Sequence, residues 1–265
     1  MRDFGDDVFE GTAKYYAKYR SRYPKTLLAE IIQTFKLDGK GRLLDLGCGT
    51  GELTIPLAKY FTSVLAIDPD EGMLREGQKK IKKSKINNII WQKGSSKELD
   101  KLKDPFRLVV IGGSFHWMDQ EVVLSQLYTL VETGGGVVII GGAKPLSCDP
   151  EASEKDKIVQ GVIKKYLGED RRAGKFIYTH PEKSFEEYLQ NSKFRDFRTH
   201  YYKTKFDRTA DQIIGQLFST SFASKKQLGE NTRDFENELR EKLQNLSHGT
   251  KFSETLEFSL FTVRK

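Results

Sequence analysis

The run Leu43-Leu44-Asp45-Leu46-Gly47-Cys48-Gly49-Thr50-Gly51-Glu52-Leu53-Thr54 constrains this chain more than any other segment. It reads as a strand, a tight glycine turn and the start of a helix. Glycines at alternate positions let the backbone approach a ligand closely and adopt conformations that a Cβ forbids. A dinucleotide fingerprint is written G-x-G-x-x-G, with the helix N-terminus aimed at a pyrophosphate. Here the third glycine comes one residue early, and Asp45 stands at the strand end. A carboxylate in that place repels a pyrophosphate and attracts the ammonium of a cationic amino-acid ligand.

The surrounding pattern supports the same frame. Residues 42 to 142 alternate short apolar runs with amphipathic stretches, which predicts a parallel sheet with helices on both faces. The strands are expected at Arg42–Leu46, Val64–Asp68, Ile89–Gln92, Leu108–Ile111 and Val137–Gly141, each rich in Val, Ile or Leu. Helices are expected to begin near Glu52, Glu71, Ser96 and Asp119, and an earlier one spans Thr26–Phe35 with Pro24 suited to its start. Later, Asp149–Leu167, Ser184–Asn191, Ala210–Ser224 and Arg233–Leu246 read as helices, and Phe197–Phe206 and Leu256–Val263 as strands. Asp68 lies at the tip of the second strand, where a carboxylate can accept hydrogen bonds from both hydroxyls of a ribose. Asp45, the glycine turn and Asp68 together favour S-adenosylmethionine over NAD.

Composition removes several function classes. The 265 residues carry 44 basic and 37 acidic side chains, a net charge of +7 that is too evenly diluted to predict a nucleic-acid partner. The one dense basic run, Lys79, Lys80, Lys82, Lys83 and Lys85, reads as the solvated tail of a helix. No apolar run approaches the roughly 20 residues that span a bilayer. With no secretory signal pattern and only Cys48 and Cys148, a reducing cytoplasm is expected. His180, His200 and His248 lack companions at metal-ligand spacing, so no metal site is expected.

The segments DLGCGTGELT, IDPDEGML, QKGSSKEL, LVVIGGSFHWMD and the turn Gly134-Gly135-Gly136 resemble the class I S-adenosylmethionine-dependent methyltransferases across roughly residues 9 to 142. The resemblance implies an α/β fold: a Rossmann-like seven-stranded sheet with helices on both faces and a helical substrate cover. It places Gly47, Gly49, Gly51 and Gly112, with Asp45, against the donor, and Asp68 at the ribose hydroxyls. Ser95 and Ser96 fall where the family holds the adenine, although the family often has an acidic residue there. The stretch Tyr-Arg-Ser-Arg-Tyr-Pro and His116-Trp117 resemble the small-molecule branch that includes trans-aconitate-type enzymes. By that resemblance residues 1–40 close over the donor through Tyr16, Tyr19 and Arg20, and residues 41–265 form the main domain with helical insertions at about 149–195 and 210–247. The guanidinium of Arg20 suits the donor's carboxylate.

The expected reaction is in-line transfer of a methyl group to an oxygen, nitrogen or carbon of a small-molecule acceptor, with S-adenosylhomocysteine as product. His116 follows the fourth strand and is the candidate general base, the plainer reading being a rim contact. Phe115, Trp117, Tyr16 and Tyr19 read equally well as an aromatic wall or as core. Ser219, Thr220 and Ser221 are expected to bond locally to their own helix, and Cys48 to be a small packing residue. Two rivals remain: an RNA methyltransferase, supported only by the positive charge, and a protein that holds the donor without methyl transfer. The acceptor and the choice between monomer and homodimer are left open.

Overall fold

The computed structural model describes residues 7–142, 153–174, 176–248 and 251–265. Two helices, α1 (Ala13–Tyr19) and α2 (Lys25–Thr34), precede the sheet, joined by an extended link that ends at Pro24, the cap of α2. α2 buries Leu27 and Ile31, which are four apart and so share one face. The sheet then alternates with helices in chain order: β1 (Arg42–Leu46), α3 (Thr54–Leu57), β2 (Ser63–Asp68), α4 (Glu71–Ile81), β3 (Ile89–Lys93), β4 (Phe106–Gly112), α5 (Gln120–Leu130) and β5 (Val131–Gly141). Capping fixes two of the helix starts. Asp70 accepts from the N–H groups of Gly72 and Met73, and Asp119 from that of Val122.

Three expected helices change character. The helix near Glu52 shrinks to α3 followed by a 3₁₀ turn, Ala58–Tyr60, with Pro56 in its first turn where a missing N–H does no harm. The one at Ser96 is a six-residue 3₁₀ helix to Lys101, and the one at Ala210 stops early, as described below. The expectation at Asp149 is met from Glu154 onward; its first residues, with Cys148, lie outside the described residues.

After β5 the chain continues through α6 (Glu154–Leu167), the ribbon β6 (Arg172–Ala173) and β7 (Phe176–Ile177), α7 (Phe185–Gln190), β8 (Arg195–Arg208), α8 (Ala210–Phe218), α9 (Lys225–Leu228), α10 (Thr232–Ser247) and β9 (Phe252–Arg264). The main sheet has the order β3-β2-β1-β4-β5-β9-β8. Strands β1 to β5 pair in parallel, and β9 and β8 run antiparallel to their neighbours. The strand order reverses between β1 and β4, so the loops leaving these two strands diverge and open a crevice at their C-terminal ends.

Two apolar layers sandwich the sheet, and the strands feed them alternately. Leu43, Leu108 and Val110 face α2, whereas Leu44, Val109 and Ile111 face α5 and α7. A third cluster is separate: α6, α8 and α10 pack on one another through Val159, Ile214, Phe235 and Leu239, with Tyr15 of α1 against them. α6, α8 and α10 thus form a cover with its own core, whereas α7 packs on the sheet. No helix among the described residues is long and apolar enough to cross a membrane.

A buried ionic knot joins that cover to the entry segment. Arg208, at the end of β8, pairs with Glu254 of β9, whose other oxygen is 3.1 Å from Lys155 Nζ of α6; the three side chains are 7–10% exposed. Arg208 also donates to the Tyr19 carbonyl at 3.3 Å and to Ser21 Oγ at 2.6 Å. Arg208→Met leaves Glu254 with Lys155 alone and is expected to lower the unfolding free energy, read from urea titrations, by about 1.5–3 kcal/mol, the scale of hydrogen bonds to a charged group, and Ser21→Ala by only about 1 kcal/mol. Equal losses in the two variants would show that the knot contributes nothing beyond its hydrogen bond to Ser21.

Candidate active site

The turn after β1 is held by hydrogen bonds to the end of β2. The N–H groups of Gly47 and Cys48 both donate to the Ile67 carbonyl, at 2.8 and 3.0 Å, and Gly49 N–H donates to Asp68 Oδ2 at 2.8 Å. Asp68 Oδ1 accepts from Asp70 N–H at 3.0 Å, so the carboxylate bridges two loops. Glycine is required at the start of the turn. Gly47 has φ +72°, and a Cβ there would stand 2.5 Å from Ser114 Oγ in the loop after β4. Ser114 in turn donates to the Leu46 carbonyl at 3.0 Å, which locks the two strand-end loops together.

The turn lies in a crevice lined by Tyr16, Tyr23, Asp45, Glu52, Leu53 and Gly112 among others, with about 10 Å³ of space left in it. Tyr16 of α1 fills it: its ring is 3.5 Å from where a Cβ on Gly49 would be. The guanidinium of Arg20 lies 4.8 Å from the centre of that ring and donates to the Ser219 carbonyl at 3.2 Å, while its Nε is buried with no hydrogen-bond partner. Arg20 as a whole is half-buried, and its enclosed Nε is a donor left without an acceptor, which costs free energy.

Carboxylates dominate the crevice. Asp45 accepts from Thr54 Oγ1 at 2.5 Å, and burial pushes its carboxyl up to about 7, with the Thr54 bond pulling the other way and Glu52 adding to the rise. Burial likewise pushes Asp68 up to about 6 against the two backbone N–H bonds that it accepts. Tyr16 is driven up to about 12, chiefly by burial. Such a surround repels polyphosphates and suits a ligand bearing a positive charge.

Other expected site residues sit elsewhere. Tyr19 stacks on Tyr15 with ring centres 6.2 Å apart and packs against Gly215 of α8, so it joins the entry segment to the cover. Ser95 caps the short 3₁₀ helix in a reciprocal box with Glu98, and Ser96 opens that helix. Both follow Gly94, whose N–H donates to the Asp68 carbonyl at 3.2 Å. Gly51 packs against Trp91 and Ile55, and Cys48 is buried beside Ala66 and Leu74. Ser219 and Thr220 bond back to the Gln216 and Leu217 carbonyls, 2.5 and 2.7 Å away. These local bonds end α8 at Phe218 instead of continuing it to Ser224. Tyr23, Thr54 and Ser114 were not foreseen as site residues; Tyr23 alone carried a signal, the aromatic-basic stretch before Pro24.

His116 lies on a 3₁₀ turn, Phe115–Trp117, after β4. Its ring is 4.5 Å from that of Trp117 and 5.9 Å from that of Tyr178. Burial lowers its pKa to about 4, helped by the positive charges of Arg171, His180 and Arg20. It borders a second cavity of about 270 Å³ beneath α5 and α7, whose other walls include Thr179, Tyr188, Asp119, Glu121 and Lys183. Gly112 on the glycine-turn crevice and His116 on this cavity are four residues apart in the chain.

Comparisons with known proteins bear on the family and the fold. Residues 43–135 match the family model of a methyltransferase domain. A protein of Saccharomyces cerevisiae named as an S-adenosylmethionine-dependent methyltransferase is 27% identical over 164 residues, 60% of this chain and 56% of its own length. The demethylmenaquinone methyltransferase of Lactiplantibacillus plantarum is 30% identical over 114 residues, 41% of this chain and 48% of its own. The chain spans about half the length of the curated relatives that it matches first. Among solved structures, phosphoethanolamine N-methyltransferase 2 of Haemonchus contortus, in complex with S-adenosyl-L-methionine, superposes with a TM-score of 0.53 at 17% identity, covering 100% of this chain and 57% of that one. The YcgJ protein of Bacillus subtilis gives 0.59 at 12% identity, covering 91% and 99%. At these identities the superpositions establish the fold.

The raised Asp45 and Asp68 predict a pH dependence of stability. An unfolded chain gives up these protons near pH 4, whereas the folded chain keeps them to about 6 and 7. Between pH 4 and 7 the native state binds more protons than the unfolded one, so this contribution is complete below pH 4 and is lost as the pH rises to 7. Asp45→Asn mimics the protonated side chain and should flatten the decline. Urea midpoints at pH 5 and pH 7.5 should lie closer together in the variant than in the wild type; parallel profiles would show that Asp45 titrates normally.

Proposed function

Residues 43–135 are a methyltransferase domain on a class I, Rossmann-like sheet, and from that premise we propose that the chain binds S-adenosylmethionine in the β1–β2 crevice and methylates a small-molecule acceptor. The observation that carries the reading is the glycine turn closed by Gly49 N–H on Asp68, with a second buried carboxylate, Asp45, behind it. The turn gives close backbone approach, and the carboxylates give a preference for a cationic ligand. Bound there, the donor supplies an electrophilic methyl group on a positively charged sulfur and leaves as S-adenosylhomocysteine.

Each residue then has a task. Asp68 accepts hydrogen bonds from the ribose hydroxyls, and Gly47, Gly49, Gly51 and Gly112 bring the backbone against the ligand. Asp45 offers negative charge toward the ammonium end. The unspent Nε of Arg20 meets the carboxylate, and Tyr16 excludes water from above. Ser95 and Ser96 border the adenine side. Residues 1–40 supply the closure, and Tyr19 serves it indirectly by fixing α1 to the cover. Because Tyr16 occupies the crevice, ligand entry requires α1 to give way.

The cavity bordered by His116 is the place proposed for the acceptor. Its imidazole is neutral at pH 7 and free to accept a proton or a hydrogen bond, yet a pKa of about 4 gives it little driving force as a base. Alignment of the reacting atoms and exclusion of water therefore carry most of the acceleration, with His116 orienting the acceptor.

Two outcomes test this reading. S-adenosylhomocysteine, and not NADH, should raise the melting temperature, because a ligand that binds only the folded chain stabilises it. Asp68→Ala should weaken that binding by about 1.5–3 kcal/mol, the scale of a hydrogen bond to a charged group, as read by calorimetric titration; unchanged affinity would remove Asp68 from the ribose role. Once an acceptor is in hand, His116→Gln should raise KM while kcat falls less than about tenfold. A loss of two to four orders of magnitude in kcat would instead make His116 the general base.

A further inference from the structure

Glu52 follows the last glycine of the turn, and its side chain folds back over the turn. One carboxylate oxygen, Oε1, accepts from Lys80 Nζ at 2.6 Å and from Thr50 Oγ1 at 2.5 Å. Lys80 reaches across from the last turn of α4 and also donates to the Thr50 carbonyl at 3.0 Å and to Thr50 Oγ1 at 2.7 Å. All three ammonium protons thus have acceptors in residues 50–52, and these bonds hold Glu52 against the turn. Its other oxygen, Oε2, lies over Gly49, 3.7 Å from the position of a Cβ there and beside the Tyr16 ring. Glu52 borders the donor crevice together with Asp45.

The pair is polarised, with its negative end on the crevice and its positive end on the outer side of the turn. The field of Glu52 reaches the other acids: after burial, it is among the causes that raise both Asp45 and Asp68. A merely structural tether would stiffen the turn for any ligand. A fixed carboxylate at the crevice acts differently on ligands that differ in charge. S-adenosylmethionine and S-adenosylhomocysteine share their adenosine, ammonium and carboxylate and differ by one methyl group and the charge on sulfur.

We propose that Glu52, held by Lys80, is a specificity-determining residue that favours the cationic donor over the neutral product. The inference rests on the donor reading given above. Its consequence is that the transfer itself weakens the enzyme's hold on what remains in the crevice, which speeds product release and limits product inhibition.

The test is a calorimetric titration of wild type, Glu52→Gln and Glu52→Asp with each ligand separately. Gln keeps an oxygen for Lys80 and Thr50 and removes only the charge. Glu52→Gln should weaken binding of S-adenosylmethionine about tenfold and of S-adenosylhomocysteine less than about twofold, the scale of one charge acting across a partly screened site. Glu52→Asp keeps the charge and should keep the wild-type ratio of the two affinities. A ratio that Glu52→Gln leaves unchanged, whether both affinities fall or neither does, overturns the proposal, as does a ratio lost equally in Glu52→Asp. These results leave the donor reading standing. A wild-type protein that binds neither ligand removes the donor reading and this inference with it. Melting temperatures of the free variants separate a loss of fold from a loss of selectivity.

Discussion

The hydrogen bond from Gly49 N–H to Asp68 spans the ends of two neighbouring parallel strands, and the arrangement of the site depends on it. Parallel pairing sets β1 and β2 side by side with Leu46 opposite Ile67, so the turn leaving β1 passes directly over the end of β2. Gly47 and Gly49, at φ +72° and +55°, take the left-handed conformations that let the turn present its N–H groups to the Ile67 carbonyl and to the Asp68 carboxylate. In exchange Asp68 is desolvated, and its proton affinity rises even while it accepts two N–H groups. A site that holds buried carboxylates is uncomfortable in water, and a positive ligand relieves that discomfort.

The entry segment and the cover supply the opposite charge and the roof. α1 belongs to the cover's core through Tyr15 and to the glycine-turn crevice through Tyr16, neighbouring residues about 100° apart around the helix. The link behind it is fixed at Tyr19 and Ser21 by Arg208, which is itself paired to Glu254. Arg20 lies between these anchor points, so its guanidinium is placed by the knot and the cover together and not by α1 alone. The entry segment and the cover therefore form one mechanical unit, built from segments nearly 190 residues apart in the chain, the separation of Arg208 from Tyr19.

Much of the sheet was legible because burial on both faces writes an unmistakable composition. β1 falls on the residues expected, and β2, β3 and β4 extend the expected runs by one to three residues. β5 begins six residues before the expected Val137, since α5 runs into it at Val131 with no turn residue to mark the change. The ribbon at Arg172–Ala173 and Phe176–Ile177 is too short to carry any periodicity. The glycine turn and Asp68 were visible because local geometry demands those residue types within a short stretch. Partnerships across long separations were not: neither Arg208 with Glu254 nor Lys80 with Glu52 has a local signature. Lys80 read as one of five lysines on a solvated helix tail, and the fold turns that one alone onto the glycine turn.

His116 shows how a residue can be correctly placed by sequence and still have its chemistry decided by the fold. Its position after β4 puts it beside a cavity at the C-terminal edge of the sheet, where ligands bind in such folds. An imidazole in water would titrate near 6.5 and suit proton transfer at neutral pH. Here the ring is enclosed by Trp117 and Tyr178 and lies in the field of Arg171, His180 and Arg20, so the protonated form is penalised twice. A group so disposed is a dependable neutral acceptor over the whole physiological range and a poor store for a proton. The cavity beside it is not uniformly positive, since Asp119, Glu121 and Glu182 line it together with Lys183, so what the ring offers there is a neutral hydrogen-bond acceptor and not a charge.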